Sequence, residues 1–145
     1  MKQINISTWN VGSLHEGSHY ERNLDYLRTV LTTHPTDVLC LQECPDDPVL
    51  LQQLKEWTGM SHAYYTVTSE SHVDLQHSMG LCILSRMSVT ELRRIKPEKP
   101  TVEAICNGKT EYWHEKLFVA VKCRFSDKDL LVLTGHGFPF HRYGL

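Results

Sequence analysis

The chain has 145 residues, with 15 Lys and Arg against 17 Asp and Glu, for a formal net charge of −2 with His neutral. That length suits one domain, taken as residues 1–145, and 41% hydrophobic against 22% charged residues excludes disorder as the global state. The slight negative charge argues against binding through non-specific phosphate contacts, no apolar run approaches the ~18–20 residues of a membrane span, and MKQINISTWN shows no secretory signal.

Residues 3–9 alternate polar and apolar side chains, with Ile4 and Ile6 apolar, and read as a strand. Residues 10–19 read as a loop carrying Gly12 and Gly17. Ser18 and Glu21 have the spacing of a capping box. Leu24, Leu27 and Leu31, with Val30 beside them, then mark an amphipathic helix of about four turns, which His34-Pro35 ends. Residues 37–42 (DVLCLQ) form a short continuous apolar run, as expected of a parallel strand buried on both faces. A strand–helix–strand unit implies a right-handed crossover and parallel pairing. Asp47 is placed to cap a second helix with Pro48 at its first position, and that helix runs through Leu50, Leu51, Leu54 and Trp57 to Gly59.

Strand patterns follow. They cover residues 62–68, 79–84 and 88–95, with a polar loop at 69–78 and breaks at Pro97 and Pro100. Residues 101–106 and 109–113 around Asn107-Gly108 carry the strongest hairpin signal. Residues 117–125 and 129–134 flank Ser126-Asp127-Lys128 as a further pair. About nine strands and two early helices predict an α/β or α+β architecture with one sheet face uncovered. The expectation is a chain that is incomplete as given, or that pairs with something. The five cysteines are odd in number and four lie in apolar runs, which favours buried reduced thiols in a cytoplasmic protein.

The chemistry-bearing residues fall at strand ends. Asn10 follows the first strand and Glu43 the second parallel one, so both land on the carboxyl edge of one sheet, where α/β proteins bind ligands. A carboxylate beside an amide carbonyl suits Mg²⁺, which accepts few protein ligands and keeps several waters. The plainer alternative makes Asn10 an Asx-turn residue and Glu43 a solvated turn residue. His136, between Gly135 and Gly137, follows the last strand; it could act as a general acid or bind a phosphate oxygen, or merely cap the strand end. His141 and Arg142 extend the same loop, as anion contacts or as a frayed tail. His15 and His19 could bind metal, or belong to a solvated loop.

Four motifs stand in an order that resembles the endonuclease/exonuclease/phosphatase superfamily: STWNVGS around Asn10, DVLCLQE ending in Glu43, GLCILSR at residues 80–86, and TGHGFP at residues 134–139. That superfamily includes pancreatic deoxyribonuclease, abasic-site endonucleases, inositol-polyphosphate 5-phosphatases and neutral sphingomyelinases. The resemblance implies a four-layer α/β/β/α sandwich, of which this chain supplies about the first half, and Mg²⁺-dependent hydrolysis of phosphoesters, with Mn²⁺ as a substitute. It implies metal-site roles for Glu43, as principal ligand, and Asn10, which would orient the phosphate or a metal-bound water. His136 resembles the family histidine near the scissile phosphate; Arg142, by its place in the same loop, is a candidate phosphate contact.

The family's later Asp-x-Asn pair, further Asp and Ser-Asp-His have no match here. The expectation is therefore a metal-dependent phosphoesterase domain with little turnover as this chain alone, acting on nucleic acid, phosphoinositide or another phosphodiester. The rival is a non-catalytic module that pairs with another chain, or with its own copy, through its exposed sheet. A third option is a small zinc- or iron-binding protein built on the His-rich loops.

Overall fold

A computed structural model describes residues 3–12, 20–70, 78–95, 104–106, 109–111 and 117–136. In chain order the elements are β1 (Ile6–Asn10), α1 (Tyr20–Thr33), β2 (Val38–Pro45), α2 (Pro48–Thr58), β3 (His62–Glu70), β4 (Ser78–Ser85), β5 (Val89–Ile95), β6 (Ala104–Cys106), β7 (Lys109–Glu111), β8 (Phe118–Phe125) and β9 (Lys128–Gly135). The expected capping residue Ser18, the expected hairpin turn Asn107-Gly108 and the breaking prolines Pro97 and Pro100 lie outside the described residues.

Local signals explain the helix ends. Asp47 accepts from the N–H groups of Val49 and Leu50, with Pro48 opening α2. Gly59, at φ 64°, closes it in the left-handed conformation that an L side chain resists. Leu27 and Leu31 of α1 and Leu50 and Leu54 of α2 turn inward onto Leu39, Leu41 and Leu84. Buried aliphatic side chains of this kind each contribute roughly 1.5–3 kcal/mol.

The sheet beneath those helices has the order β1-β2-β4-β3. β1 and β2 are parallel, Ile6 opposite Val38 through Asn10 opposite Gln42, while β4 is antiparallel to both β2 and β3. A second, antiparallel sheet has the order β5-β8-β9, and β6 pairs with β7. The period of two along β2 divides the core. Leu39 and Leu41 face the helices; Val38 and Cys40 face the second sheet and meet Val119, Val121 and Cys123.

The described residues thus stack as helices, mixed sheet, antiparallel sheet. Among the described residues no element covers the outer face of the antiparallel sheet, where Leu131 is 65% and Leu133 61% exposed. No helix among the described residues is long and apolar enough to cross a membrane. Cys40, Cys44, Cys82 and Cys123 are free and buried. Burial pushes the Cys40 thiol up to about 11.

Two sequence expectations shift. Ile6 is 52% exposed, because β1 is the edge strand and its face toward the second sheet lies past that sheet's cover; Trp9, opposite Leu41, carries the inward face instead. Glu43 does not follow β2 but lies within it, for a reason that shapes the site.

Candidate active site at the shared rim of the two sheets

β2 departs from regular pairing just where its chemistry lies. Leu41 is opposite Cys82 and Cys44 is opposite Gly80, so Gln42 and Glu43 together oppose Leu81. This is a β-bulge, one extra residue in one strand. It changes the parity of the strand. Under strict alternation residue 43 would follow Leu39 and Leu41 into the helix-side core; with the bulge, Cys44 enters that core instead. Glu43 takes the displaced position at φ 53°. A non-glycine residue there carries roughly 1–3 kcal/mol of backbone strain. Tyr65 helps hold the distortion, its hydroxyl donating to the Cys44 carbonyl at 3.1 Å.

The bulge delivers the carboxylate to the end of the parallel ladder, whose last pair is Asn10–Gln42. The Asn10 amide nitrogen donates to Glu43 Oε1 at 3.2 Å. The Asn10 side-chain oxygen accepts the Gly12 N–H at 2.9 Å, an Asx-turn contact. Both partners select one amide orientation, since a carboxylate only accepts and a backbone N–H only donates. The Asx-turn and the approach to Glu43 therefore coexist.

From the other sheet, His136 follows β9 and brings Nε2 to 3.0 Å from the same Glu43 Oε1. Nε2 carries the proton in this contact, because an ionised carboxylate has none to give. The backbone N–H of His136 is fixed to the Leu117 carbonyl at 3.3 Å. The two side chains are about equally accessible, at 25% for His136 and 24% for Glu43, so the site is a rim open to solvent.

Two glycines make room. A Cβ on Gly12 would collide with the Glu43 carboxylate at Oε2. One on Gly135 would strike the Phe118 ring, so this position needs a missing side chain for the close approach of β8. Gly137, His141 and Arg142 lie outside the described residues, as do His15 and His19.

The structure thus brings Asn10 from the end of β1, Glu43 from the bulge of β2 and His136 from the end of β9 together. The residues not singled out from sequence are Gly12, whose role depends on a neighbour far along the chain, and the polar group Thr8, Gln42 and Thr134 directly beneath the site. A glutamine closing an apolar run was the available signal for that group. Among the described residues no group of three His, Cys, Asp or Glu is placed to hold a metal ion. The oxygen donors present, the Glu43 carboxylate and the Asn10 amide oxygen at the Gly12 N–H, suit a hard cation that keeps most of its waters.

A helix-covered mixed sheet packed on an antiparallel sheet, with a carboxylate, an amide and an imidazole at their common rim, defines a three-layered α/β/β sandwich with a polar edge site. The chain belongs to the endonuclease/exonuclease/phosphatase family, whose model matches residues 7–135. No curated protein matches the chain. Among solved structures it is similar to an endonuclease/exonuclease/phosphatase family protein from Leptotrichia buccalis, at TM-score 0.61 and 16% identity, covering 92% of this chain and 55% of that one. It is also similar to TDP2 from Caenorhabditis elegans (TM-score 0.57, 15% identity, 96% of this chain and 37% of that one). A third likeness is to the catalytic domain of human Nocturnin (TM-score 0.55, 16% identity, 97% and 53%). At these identities the likeness is one of fold. The chain spans about half or less of the length of these structures.

The positive φ at residue 43 gives a measurable signature. Glu43→Gly relieves the backbone and Glu43→Ala does not, so in chemical denaturation the glycine variant is expected to be the more stable by about 1 kcal/mol. Equal stability, or the reverse order, would show that the bulge holds no such strain.

Proposed function

We propose that this chain carries part of the active site of a Mg²⁺-dependent phosphoester hydrolase, with Glu43 as the principal cation ligand. The observation that carries this reading is the convergence of the Asn10 amide and the His136 imidazole on one oxygen of the Glu43 carboxylate.

A divalent cation bound at Glu43 would supply positive charge to the non-bridging oxygens and the leaving oxygen of a phosphoester. The chain's own residues do the rest. Asn10, tied into its turn by Gly12, holds the carboxylate at a fixed attitude through its amide N–H. His136 presents an Nε2–H at the same point. That proton is available to a phosphate oxygen seated there, and such charge-assisted donors are the stronger kind. Arg142, six residues further on, is a candidate second phosphate contact. None of these groups is a carboxylate free to activate water, so cation binding with little turnover is the expected behaviour of the 145-residue chain. Family membership supports a phosphoester as the substrate class, whether nucleic acid, phosphoinositide or another diester. The buried free thiols support a cytoplasmic setting.

Calorimetric titration tests the cation site. Mg²⁺, or Mn²⁺ in its place, is expected to bind the parent chain, and Glu43→Gln is expected to weaken binding at least ~10-fold, about 1.4 kcal/mol. Equal affinity in the two proteins would remove Glu43 from the site.

The second reading is a module that pairs through its sheet, and the outer face of the antiparallel sheet, uncovered among the described residues, favours it. Leu131 and Leu133 stand exposed on β9 with Ile95 exposed on β5. Exposed aliphatic side chains gathered on a sheet face favour association with a second copy or a complementing chain. Light scattering is expected to give a dimer that Leu133→Lys converts to monomer; a monomer at all concentrations in the parent contradicts this reading.

A further inference from the structure

Beneath the rim the two sheets are joined by a polar contact inside a mainly apolar interface, which the Tyr64–Glu91 hydrogen bond also crosses. Gln42 points from β2 toward the second sheet. Its Nε2 lies 3.0 Å from Thr8 Oγ1 on β1 and 3.1 Å from Thr134 Oγ1 on β9, with the Cys40 carbonyl at 3.4 Å. Thr8 Oγ1 lies 3.5 Å from Gln42 Oε1 and donates back along the same pair. Thr134 is buried, in the interface of Val38, Cys40 and Val132.

The positions in the chain give the contact its meaning. Thr8 is two residues before Asn10, Gln42 is one before Glu43, and Thr134 is two before His136. Residues two apart on a strand share a face, so each hydroxyl stands directly below a site residue on its own strand. One amide therefore ties together the three strands that present Asn10, Glu43 and His136. A primary amide has two N–H groups and an oxygen, which lets it span two sheets; a leucine of similar size fills the volume and ties nothing.

We infer that Gln42 is a positioning residue, a strut between the sheets that sets the distance from Glu43 to His136. Apolar packing between the sheets has no preferred direction; a hydrogen-bonded contact near the rim adds one where a shift of an ångström would open the 3.0 Å Glu43–His136 contact. The link from strut to cation affinity rests on the function proposed above; the link from strut to geometry does not.

The test is a double-mutant cycle between Glu43→Gln and His136→Ala, run by urea denaturation in the parent, in Gln42→Leu and in Thr134→Val. The parent is expected to show coupling between the two residues. Gln42→Leu and Thr134→Val are each expected to abolish it. A role in stability alone would lower the midpoint and leave the coupling intact, and that result overturns the inference, as does a parent with no coupling. If Gln42→Leu does not fold, the milder Thr134→Val decides. In parallel, Mn²⁺ affinity measured by titration is expected to fall about 10-fold in Thr134→Val, as for other residues that orient a ligand. Coupling lost in the variants while Mn²⁺ fails to bind even the parent would leave the strut standing and refute the cation site.

Discussion

One backbone distortion underlies the site: the two-for-one bulge at Gln42 and Glu43 opposite Leu81. A regular strand would send residue 43 into the helix-side core, where an ionised carboxylate is untenable without a partner. The bulge gives that core position to Cys44 and leaves the carboxylate at the rim. The cost is a left-handed residue without glycine's freedom. Such strain persists only where the surroundings hold it, and here the parallel ladder to β1 on one side and the antiparallel ladder to β4 on the other do so.

The layers convert that distortion into a three-residue arrangement. Helices α1 and α2 press Leu27, Leu31, Leu50 and Leu54 onto the mixed sheet and fix the plane from which Asn10 and Glu43 emerge. The antiparallel sheet packs on the opposite face through Val119, Val121 and Cys123 and carries His136 to the same edge. Each sheet alone presents an incomplete site. Their packing brings an imidazole and an amide to one oxygen of the carboxylate, with Gly12 lying against that carboxylate and Gly135 against the Phe118 ring.

Much of this was legible in the sequence because the signals are local. The Asp47-Pro48 cap, the Gly59 stop, the leucine spacing of α1 and the apolar run of β2 depend on neighbours within a turn or two; the helices formed near their expected bounds, while β2 runs three residues past its expected end. The strand–helix–strand unit sufficed to put Asn10 and Glu43 at one edge. The bulge was not legible, since its existence depends on Leu81 in a strand formed later in the chain. Nor was the exposure of Ile6, which follows from the edge position of β1. The meeting of His136 with Glu43 and the Gln42–Thr134 tie both cross between sheets, and no pattern along one strand encodes the offset of another layer. The motif resemblance reached His136 by a different route, through order along the chain.

Whether the carboxylate held by Asn10 and His136 seats a hard cation is tested most directly by a crystal of the chain grown with Mn²⁺, through the anomalous difference map. A peak is expected against the Glu43 carboxylate, with Asn10 and His136 within reach of the ion or its waters. A map with no peak at Glu43, or with the ion bound at other residues while Asn10 and Glu43 stand apart, would contradict a cation site there.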